Sequence, residues 1–221
     1  NNNSMNNIKH VIAVMSGKGG VGKSSFTSLL AIALNKKGFK VGILDADVTG
    51  PSIPKLFGVS GNPEQGDTGI YPIDSQNGIG VMSINLLLPV EDEPVVWRGP
   101  IVSNVITQFY NEVIWGELDY LIVDLPPGTG DAPLTVLQSL SVEGVLIVSS
   151  PQDLANMVVR KAIKMVKAME IPVVGVVENM SYLKCPDCDK TINVFGESNV
   201  EKTCKDLDVE LLGKFPIDSK L

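Results

Sequence analysis

Short apolar runs rich in β-branched residues alternate along this chain with longer segments in which apolar residues recur at helical spacing. The strand-like runs cover residues 11–15, 40–44, 118–123, 144–148 and 173–177, and the helical segments cover residues 24–37 and 153–170. Strands that alternate with helices predict βαβ units and a mostly parallel sheet in an α/β fold. Because such crossovers are right-handed, the carboxyl ends of the strands share one edge, where ligands bind.

Two stretches interrupt this alternation. Residues 49–80 are rich in Gly, Pro and Asn, and the apolar residues 70–73 and 79–86 flank an Asn-Gly turn signal, which predicts a small antiparallel hairpin insertion. Residues 181–205 form the second irregular stretch and hold all three cysteines. Neither is long enough to fold separately, so we expect one domain over residues 8–221. The polar start, residues 1–7, is expected to be disordered or left over from cloning.

Composition narrows the class of protein. The 221 residues are 44% hydrophobic and 19% charged, which is typical of a globular chain. A net charge of −7 disfavours general nucleic-acid binding, because phosphate contacts need clustered cations. The sequence contains neither an 18-residue apolar run nor a signal-peptide pattern at its start. We therefore expect a cytoplasmic protein that binds neither nucleic acid nor membrane.

A glycine-rich loop carries the clearest chemical signal. Residues 17–24 read Gly-Lys-Gly-Gly-Val-Gly-Lys-Ser, follow a predicted strand and open a predicted helix, as the G-x-x-x-x-G-K-[ST] phosphate loop requires. Its backbone N–H groups and the helix N-terminus would surround phosphate oxygens. Lys23 would reach the β- and γ-phosphates, and Ser24 would ligate Mg²⁺. The predicted nucleotide-binding residues here are Gly17, Lys18, Gly19, Gly20, Val21, Gly22, Lys23, Ser24 and Ser25.

Carboxylates follow two of the predicted strands. Asp124 occupies a Walker B position, where a carboxylate holds Mg²⁺ through water, and residues 125–131 resemble a switch loop in which Asp131 could also cap the next helix. Asp45-Ala46-Asp47 ends another strand, where the two acids either orient water and tune the metal or simply make a turn. We predict Ser24, Asp47 and Asp124 as the magnesium site.

Cys185 and Cys188 supply two thiolates at metal-ligand spacing. A closed zinc site or an iron–sulfur cluster needs four ligands. The remaining candidates are Cys204, expected to be a partly buried residue of a helical segment, and His10, expected to be a structural residue ahead of the first strand. Two copies of the Cys-x-x-Cys pair across a two-fold axis would complete such a site. Alone, the pair is a weak signal, which a redox pair or chance explains more often than a metal site does.

The ordered combination of short motifs is far more specific than any one of them. They are residues 17–24, Asp-Ala-Asp at 45–47 with Gly-Pro-Ser at 50–52, Trp-Arg-Gly-Pro at 97–100, Asp-Leu-Pro-Pro-Gly-Thr-Gly-Asp at 124–131, Glu-Asn-Met-Ser at 178–181 and Cys-Pro-Asp-Cys at 185–188. This series resembles the Mrp/ApbC family of P-loop ATPases, which carry and deliver iron–sulfur clusters, from about Lys9 to the end. The resemblance implies a three-layer P-loop fold with helices on both faces of the sheet.

The same resemblance implies a homodimer that holds a labile [4Fe–4S] cluster between two Cys185/Cys188 pairs. It implies weak ATPase activity coupled to cluster transfer to apoproteins. A lysine at the Lys18 position marks the deviant Walker A group, in which it reaches the partner's nucleotide; Asp47 would position the attacking water, and Asn179 would recognise adenine. Two departures stand out: Asp189 replaces a frequent Gly, and the chain stops early, so we expect a missing tail.

Three other functions remain open from the sequence. A positioning ATPase of the MinD/ParA kind would need a membrane-binding tail or a basic DNA-binding face, which the net charge disfavours. A reductase resembling the nitrogenase iron protein would take its cluster cysteines singly from separated loops. A zinc-binding P-loop ATPase stays in contention, because the same thiolates bind Zn²⁺ well.

Overall fold

The computed structural model describes residues 5–47, 52–83, 86, 99–152 and 157–218. In these residues strands and helices largely alternate, and helix α1 begins directly after the phosphate loop. The elements are β1 (Asn7–Ser16), α1 (Lys23–Lys36), β2 (Val41–Asp45), α2 (Ser52–Phe57), β3 (Gln65–Gly66), β4 (Gly69–Ile70), β5 (Ile73–Asp74), β6 (Gly80–Ser83), α3 (Gly99–Glu112), β7 (Glu117–Asp124), α4 (Asp131–Ser139), β8 (Gly144–Ser149), α5 (Met157–Ala168), β9 (Val173–Lys184), β10 (Thr191–Ile192), α6 (Val200–Asp206) and β11 (Leu211–Pro216).

The main sheet is mostly parallel, as predicted. Its order is β11-β9-β8-β1-β7-β2-β6, with all of these neighbours parallel, and β5 pairs antiparallel with β6 at one edge. The short strand β10 pairs antiparallel with the end of β9. Strands β1 and β7 lie at the centre, so their carboxyl ends meet in the middle of the ligand-binding edge.

Helices cover both faces of the sheet, which confirms the three-layer architecture. On β1, Val11, Ala13 and Met15 join the core that includes buried residues of α3, α4, α5 and α6. Val14 points to the opposite face and joins the core that includes residues of α1 and α2. Successive strand residues face opposite sides of a sheet, so β1 is buried between the two layers.

The Asn-Gly turn forms the predicted hairpin, but its second strand is not a separate insertion. The Ser75 N–H donates to the Ile79 carbonyl at 2.9 Å, and β5 and β6 flank this turn. All four residues of β6 are buried, and β6 pairs parallel with β2 as part of the main sheet. A distinct two-stranded antiparallel sheet is made by β3 and β4.

Helix α3 was not anticipated from the sequence. Its buried face includes Ile106 and Phe109, and Val113 continues the same spacing just beyond the helix end. This three-and-four spacing is the ordinary signature of an amphipathic helix, so the signal was available. Trp97 and Arg98 of the Trp-Arg-Gly-Pro sequence, and residues 153–156 of the predicted helix 153–170, lie outside the described residues.

The first strand begins earlier than predicted. Asn6, assigned above to the disordered start, donates from its side chain to the Val113 carbonyl at 2.8 Å and accepts from the Trp115 N–H at 2.8 Å. Residues 5–7 are therefore part of the fold. His10 lies within β1 rather than ahead of it, where its ring stacks on Tyr120 and its Nδ1 lies 2.9 Å from a Glu143 oxygen.

None of the helices in the described residues combines the length and the apolar character needed to cross a membrane.

Candidate functional site

The phosphate loop leaves β1 after Ser16 and enters α1 at Lys23. Gly20 and Gly22 both have φ near 79°, a left-handed conformation that favours glycine, and Gly22 is the N-cap of α1. Gly17 is required for another reason: a Cβ there would lie 2.2 Å from Val158 Cγ1 of α5. The loop conformation therefore depends on glycine for both backbone geometry and space.

Lys23 and Asp124 form the charged centre of the site. The Lys23 Nζ lies 2.9 Å from Asp124 Oδ2 and 3.5 Å from Asp47 Oδ2, and its side chain is only 5% exposed. Asp124 is fully buried and accepts hydrogen bonds from Ser24 Oγ at 2.6 Å and from Thr27 Oγ1 at 2.7 Å. Strand ends and the first turn of α1 thus bring the predicted Lys23, Ser24, Asp47 and Asp124 together.

Asp45 is the second buried carboxyl group at this edge. It pairs in register with Asp124 on β7 and with Ser83 on β6, and it accepts hydrogen bonds from the Asp47 N–H and from Ser83 Oγ. Burial, reinforced by the negative charge of Asp124, raises the pKa of Asp45 to about 8. The raised pKa favours the protonated form of Asp45 at neutral pH, and its Oδ1 holds the Asp47 backbone N–H.

A cavity of about 630 Å³ opens above the loop. Its lining includes the predicted residues Gly19, Gly20, Gly22, Lys23, Ser24, Ser25 and Asp47. Sequence reasoning missed three lining residues of α2, namely Ser52, Lys55 and the 52% exposed Leu56. Ser52 ends the Gly-Pro-Ser motif at 50–52, so the sequence carried a signal for the start of this helix, but none for Lys55 and Leu56. A volume of this size is typical of small-molecule sites.

The switch-like loop after Asp124 is held against β1. The Leu125 N–H donates to the Val14 carbonyl at 3.0 Å, and the Gly128 N–H donates to the Ser16 carbonyl at 2.9 Å. Pro127 lines the cavity. The buried Ser16 hydroxyl also lines the cavity and makes no hydrogen bond within the described part of the chain. Helix α4 begins at Asp131 with Gly130 as its N-cap and without a side-chain cap, so the predicted capping role of Asp131 is wrong.

The site has the donor chemistry that Mg²⁺ requires. Ser24 Oγ and one oxygen of Asp124 are 2.6 Å apart, and the Lys23 Nζ lies 2.9 Å from Asp124 and 3.5 Å from Asp47. Hydroxyl and carboxylate oxygens are the ligands that this small, hard cation prefers, with water and phosphate oxygens filling the remaining positions. The residues predicted for magnesium therefore fit the ion.

Lys18 and Asn179 contact other parts of the chain. The Nζ of the half-buried Lys18 donates to the Gln152 carbonyl, just after β8, at 3.1 Å. Asn179 lies in β9, and its Nδ2 donates to the Val21 carbonyl at 3.1 Å. A Cβ on Gly22 would lie 2.3 Å from that same nitrogen. Asn179 therefore packs directly on the phosphate loop, while its role towards adenine stays a prediction.

The two cysteines of the Cys-x-x-Cys pair lie in the turn of a short hairpin, which we call the cysteine hairpin (residues 183–192). Strand β9 runs to Lys184, seven residues beyond the predicted strand end, and β10 returns beside it. Inside the turn the Cys185 N–H donates to the Lys190 carbonyl, and the Asp189 N–H donates to the Cys185 carbonyl. Asp189 has φ 56°, so this aspartate adopts the conformation that the family's frequent glycine favours.

Both thiols of the cysteine hairpin are free, with Cys185 half-buried and Cys188 exposed. Hydrogen bonds from the Asp187 and Cys188 backbone N–H groups, and then from the Cys188 thiol, lower the pKa of Cys185. A lowered pKa favours the thiolate, which is the form that binds metal. In the described residues no group of three or more His, Cys, Asp or Glu side chains is arranged to hold a metal ion.

Cys204 is separate from this pair. It lies in α6 and is 2% exposed, so it is more deeply buried than predicted. Burial, with a smaller contribution from the charge of Glu178, raises the pKa of its thiol. Cys204 is therefore a core residue of the layer that contains α6.

Known proteins resemble this chain over nearly its whole length. The family model described as "ParA: NUBPL iron-transfer P-loop NTPase" matches residues 7–221. An iron-sulfur cluster carrier protein of Methanocaldococcus jannaschii is 51% identical over 219 residues, which cover 98% of this chain and 76% of that protein. A protein of the same name from Clostridium perfringens is 47% identical over 223 residues, covering 97% and 78% of the two chains.

Solved structures agree with the sequence relatives. A nucleotide-binding protein from Archaeoglobus fulgidus in complex with ADP superimposes with a TM-score of 0.86 at 48% identity, covering 96% of this chain and 84% of that one. The septum site-determining protein MinD from Pyrococcus horikoshii shares the fold, with a TM-score of 0.64 at 21% identity over 95% and 82% of the chains. The phosphate loop, the group formed by Asp45, Asp47 and Asp124 (the acid cluster) and these matches together show that the chain belongs to the ParA/NUBPL family of iron-transfer P-loop NTPases, as its motif series predicted.

Proposed function

We propose that this protein binds and slowly hydrolyses ATP and, as a homodimer, carries an iron–sulfur cluster that it transfers to apoproteins. The observation that carries the proposal is the presence, in one chain, of a buried phosphate-loop lysine with its acid cluster and a pair of free cysteines, one half-buried and one exposed, at the end of β9. The names of the iron–sulfur cluster carrier relatives support the same function.

The nucleotide chemistry follows from the charges at the strand ends. The Lys23 ammonium lies near Asp47 and Asp124. When a nucleotide binds, this ammonium would contact the phosphates instead, because they carry a stronger negative charge than the carboxylates. Bound Mg²⁺ would neutralise phosphate charge, with Ser24, Asp47 and Asp124 as its holders. Asp47 lines the cavity and would orient the attacking water, while the protonated Asp45 fixes its backbone.

Lys18 would act between two subunits. Its ammonium donates to the Gln152 carbonyl at 3.1 Å, and a lysine at this position reaches the partner's nucleotide in the deviant Walker A proteins that the chain resembles. A cation that reaches the partner's nucleotide would stabilise charge that develops on the γ-phosphate during transfer. We therefore assign Lys18 and Asp47 to turnover and Lys23 to binding.

The cluster chemistry follows from a ligand count. A [4Fe–4S] cluster is held by about four thiolates. One chain offers two thiols in the cysteine hairpin, and Cys204 lies in the core of a different element. A two-fold axis doubles the pair and completes the set. Free thiols suit a reducing compartment, and we place the protein in the cytoplasm.

The decisive experiment is anaerobic reconstitution of the protein with iron and sulfide, followed by iron analysis and determination of the mass in solution. We expect about four irons per dimer, the number that one bridging [4Fe–4S] cluster contains. Cys185→Ser and Cys188→Ser should each abolish cluster binding, and Cys204→Ser is the matched control that should retain it.

Three results would contradict this assignment. About four irons per monomer would place a whole cluster in each chain. If Cys204→Ser lost the cluster while Cys185→Ser and Cys188→Ser kept it, the ligands would not be those of the cysteine hairpin. Binding of Zn²⁺ without any uptake of iron would favour a zinc-binding ATPase, because thiolates hold both metals.

A further inference from the structure

Glu178 is a buried acid to which the proposed chemistry assigns no role. It lies in β9 directly before Asn179 and is 1% exposed. Its Oε1 accepts a hydrogen bond from Ser181 Oγ at 2.6 Å, and its Oε2 accepts one from Ser198 Oγ. The ion pairs of the described residues include none to this carboxylate. Two serine hydroxyls thus provide its side-chain hydrogen bonds.

These two serines lie on opposite sides of the cysteines in sequence. Ser181 precedes the cysteine hairpin, and Ser198 follows it, so one carboxylate joins the two ends of the segment 182–197. Ser198 Oγ also accepts a hydrogen bond from the Val200 N–H at 3.1 Å, so Ser198 connects Glu178 to the first turn of α6. The cysteines are therefore carried by a closed segment whose far end is held by Glu178.

The energetics favour a specific role for this carboxylate. A buried charge is costly unless it is hydrogen-bonded, and an apolar side chain would stabilise the strand without that cost. Hydrogen bonds to an ionised acceptor are about twice as strong as neutral ones. The hydrogen bond to Ser198 therefore gives a strong link between β9 and the chain that follows the cysteines. The pairing of β10 with β9 is a weaker restraint, because it involves only two residues of β10.

We propose that Glu178 is a positioning residue for the cysteine pair: by accepting from Ser198 across the segment 182–197, it limits the motion of Cys185 and Cys188 and raises their affinity for metal. The proposal rests on the proposed metal-binding function of the two cysteines. Glu178 acts through Ser198 and the segment 182–197 and not on a metal ligand itself, so we expect a loss of about 10-fold, the lower end of the roughly 10- to 100-fold range for outer partners of metal ligands.

The test compares two serine variants that each remove one hydrogen bond to Glu178. Ser198→Ala breaks the link across the cysteine segment, and Ser181→Ala breaks a link within β9. Co²⁺ affinity is measured under anaerobic, reducing conditions from the cobalt–thiolate absorption, with Cys185→Ser as the reference for loss of the site. Amide hydrogen exchange of residues 185–197 is measured on the metal-free protein, and MgADP affinity reports whether each variant is folded.

We expect Ser198→Ala to weaken Co²⁺ binding by about 10-fold, to speed exchange across residues 185–197 and to leave MgADP affinity unchanged. Ser181→Ala should change Co²⁺ affinity less than about 3-fold, and Ser198→Thr, which keeps the hydroxyl, should behave as wild type. Wild-type exchange and Co²⁺ affinity in Ser198→Ala, equal losses in both alanine variants, or loss of MgADP binding in Ser198→Ala would each overturn the proposal. If Cys185→Ser binds Co²⁺ as wild type does, the proposed metal site fails, while the exchange data still decide whether Glu178 restrains the segment.

Discussion

The phosphate-loop site and the cysteine hairpin lie on the same chain but are built in opposite ways. The first buries its charges: Lys23 and Asp124 are almost fully enclosed, and Asp124 is held by three side chains of α1, namely Lys23, Ser24 and Thr27. The second exposes Cys188 and leaves Cys185 half-buried, in a turn held mainly by its own backbone. The proposed cluster site would take its remaining ligands from a second chain, whereas the buried site is organised within one chain.

The largest expected effect breaks the buried site. Lys23→Ala removes the ammonium near Asp47 and Asp124, so two buried acids lose this cation and nucleotide phosphates would lose their main side-chain contact. We expect ATP affinity, measured by calorimetry with Mg²⁺ present, to fall about 100-fold or more. Lys36→Ala, at an exposed position of the same helix, is the control. Unchanged affinity in Lys23→Ala would refute the nucleotide site.

The next effect separates binding from turnover. Lys18→Ala and Asp47→Ala should lower the ATP hydrolysis rate by about 10- to 100-fold, because charge stabilisation and water orientation act in the transition state. Both variants should keep ATP affinity within about 10-fold of wild type, since Lys23 and the loop backbone remain. Steady-state hydrolysis and equilibrium binding measure the two quantities. Normal hydrolysis in both variants would show that the assigned roles are wrong.

A pH experiment tests how far burial perturbs the acid cluster. The raised pKa of Asp45 means that the folded state retains a proton that the unfolded chain releases. Between about pH 4 and pH 8, the contribution of this group to stability falls as the pH rises, by up to about 1.4 kcal/mol per pH unit, and it levels off above pH 8. Asp45→Asn keeps the neutral form throughout.

Denaturant unfolding of the nucleotide-free protein in chelator should show this difference. The free energy of unfolding of Asp45→Asn, relative to that of wild type, should rise by about 2 kcal/mol as the pH increases from 5 to 7. Asp131→Asn, an exposed carboxyl group at the start of α4, is the control for a general charge effect. A constant difference across this range would mean that Asp45 titrates as an ordinary carboxyl group.

The smallest expected effect tests the contact that joins the phosphate loop to β9. Gly20 and Gly22 have the same φ of 79°, but only at Gly22 would a Cβ meet the Asn179 amide, at 2.3 Å. Alanine should cost about 1 kcal/mol at Gly20 from backbone strain, and about 1–2 kcal/mol more at Gly22. Adding Asn179→Ala should remove the excess at Gly22. Equal costs at both glycines would show that the amide moves aside freely.

Motifs made by neighbouring residues were predictable from the sequence, whereas contacts between residues far apart in the chain were not. The phosphate loop and the acids at strand ends were correct in position because their geometry depends on adjacent residues and on parallel strands sharing an edge. The membership of β6 in the main sheet depends on its pairing with β2, about 38 residues away, which periodicity cannot show. The joining of Glu178 to Ser198 likewise needs the fold of the whole segment between them.

Strand β9 serves both sites of the molecule. Asn179 touches the phosphate loop, and Cys185 follows the end of the same strand. Parallel neighbours flank the first half of β9, and Met180 adopts a left-handed φ of 54° directly after Asn179. The phosphate loop and the cysteine hairpin are therefore connected by one continuous piece of backbone, with no intervening loop.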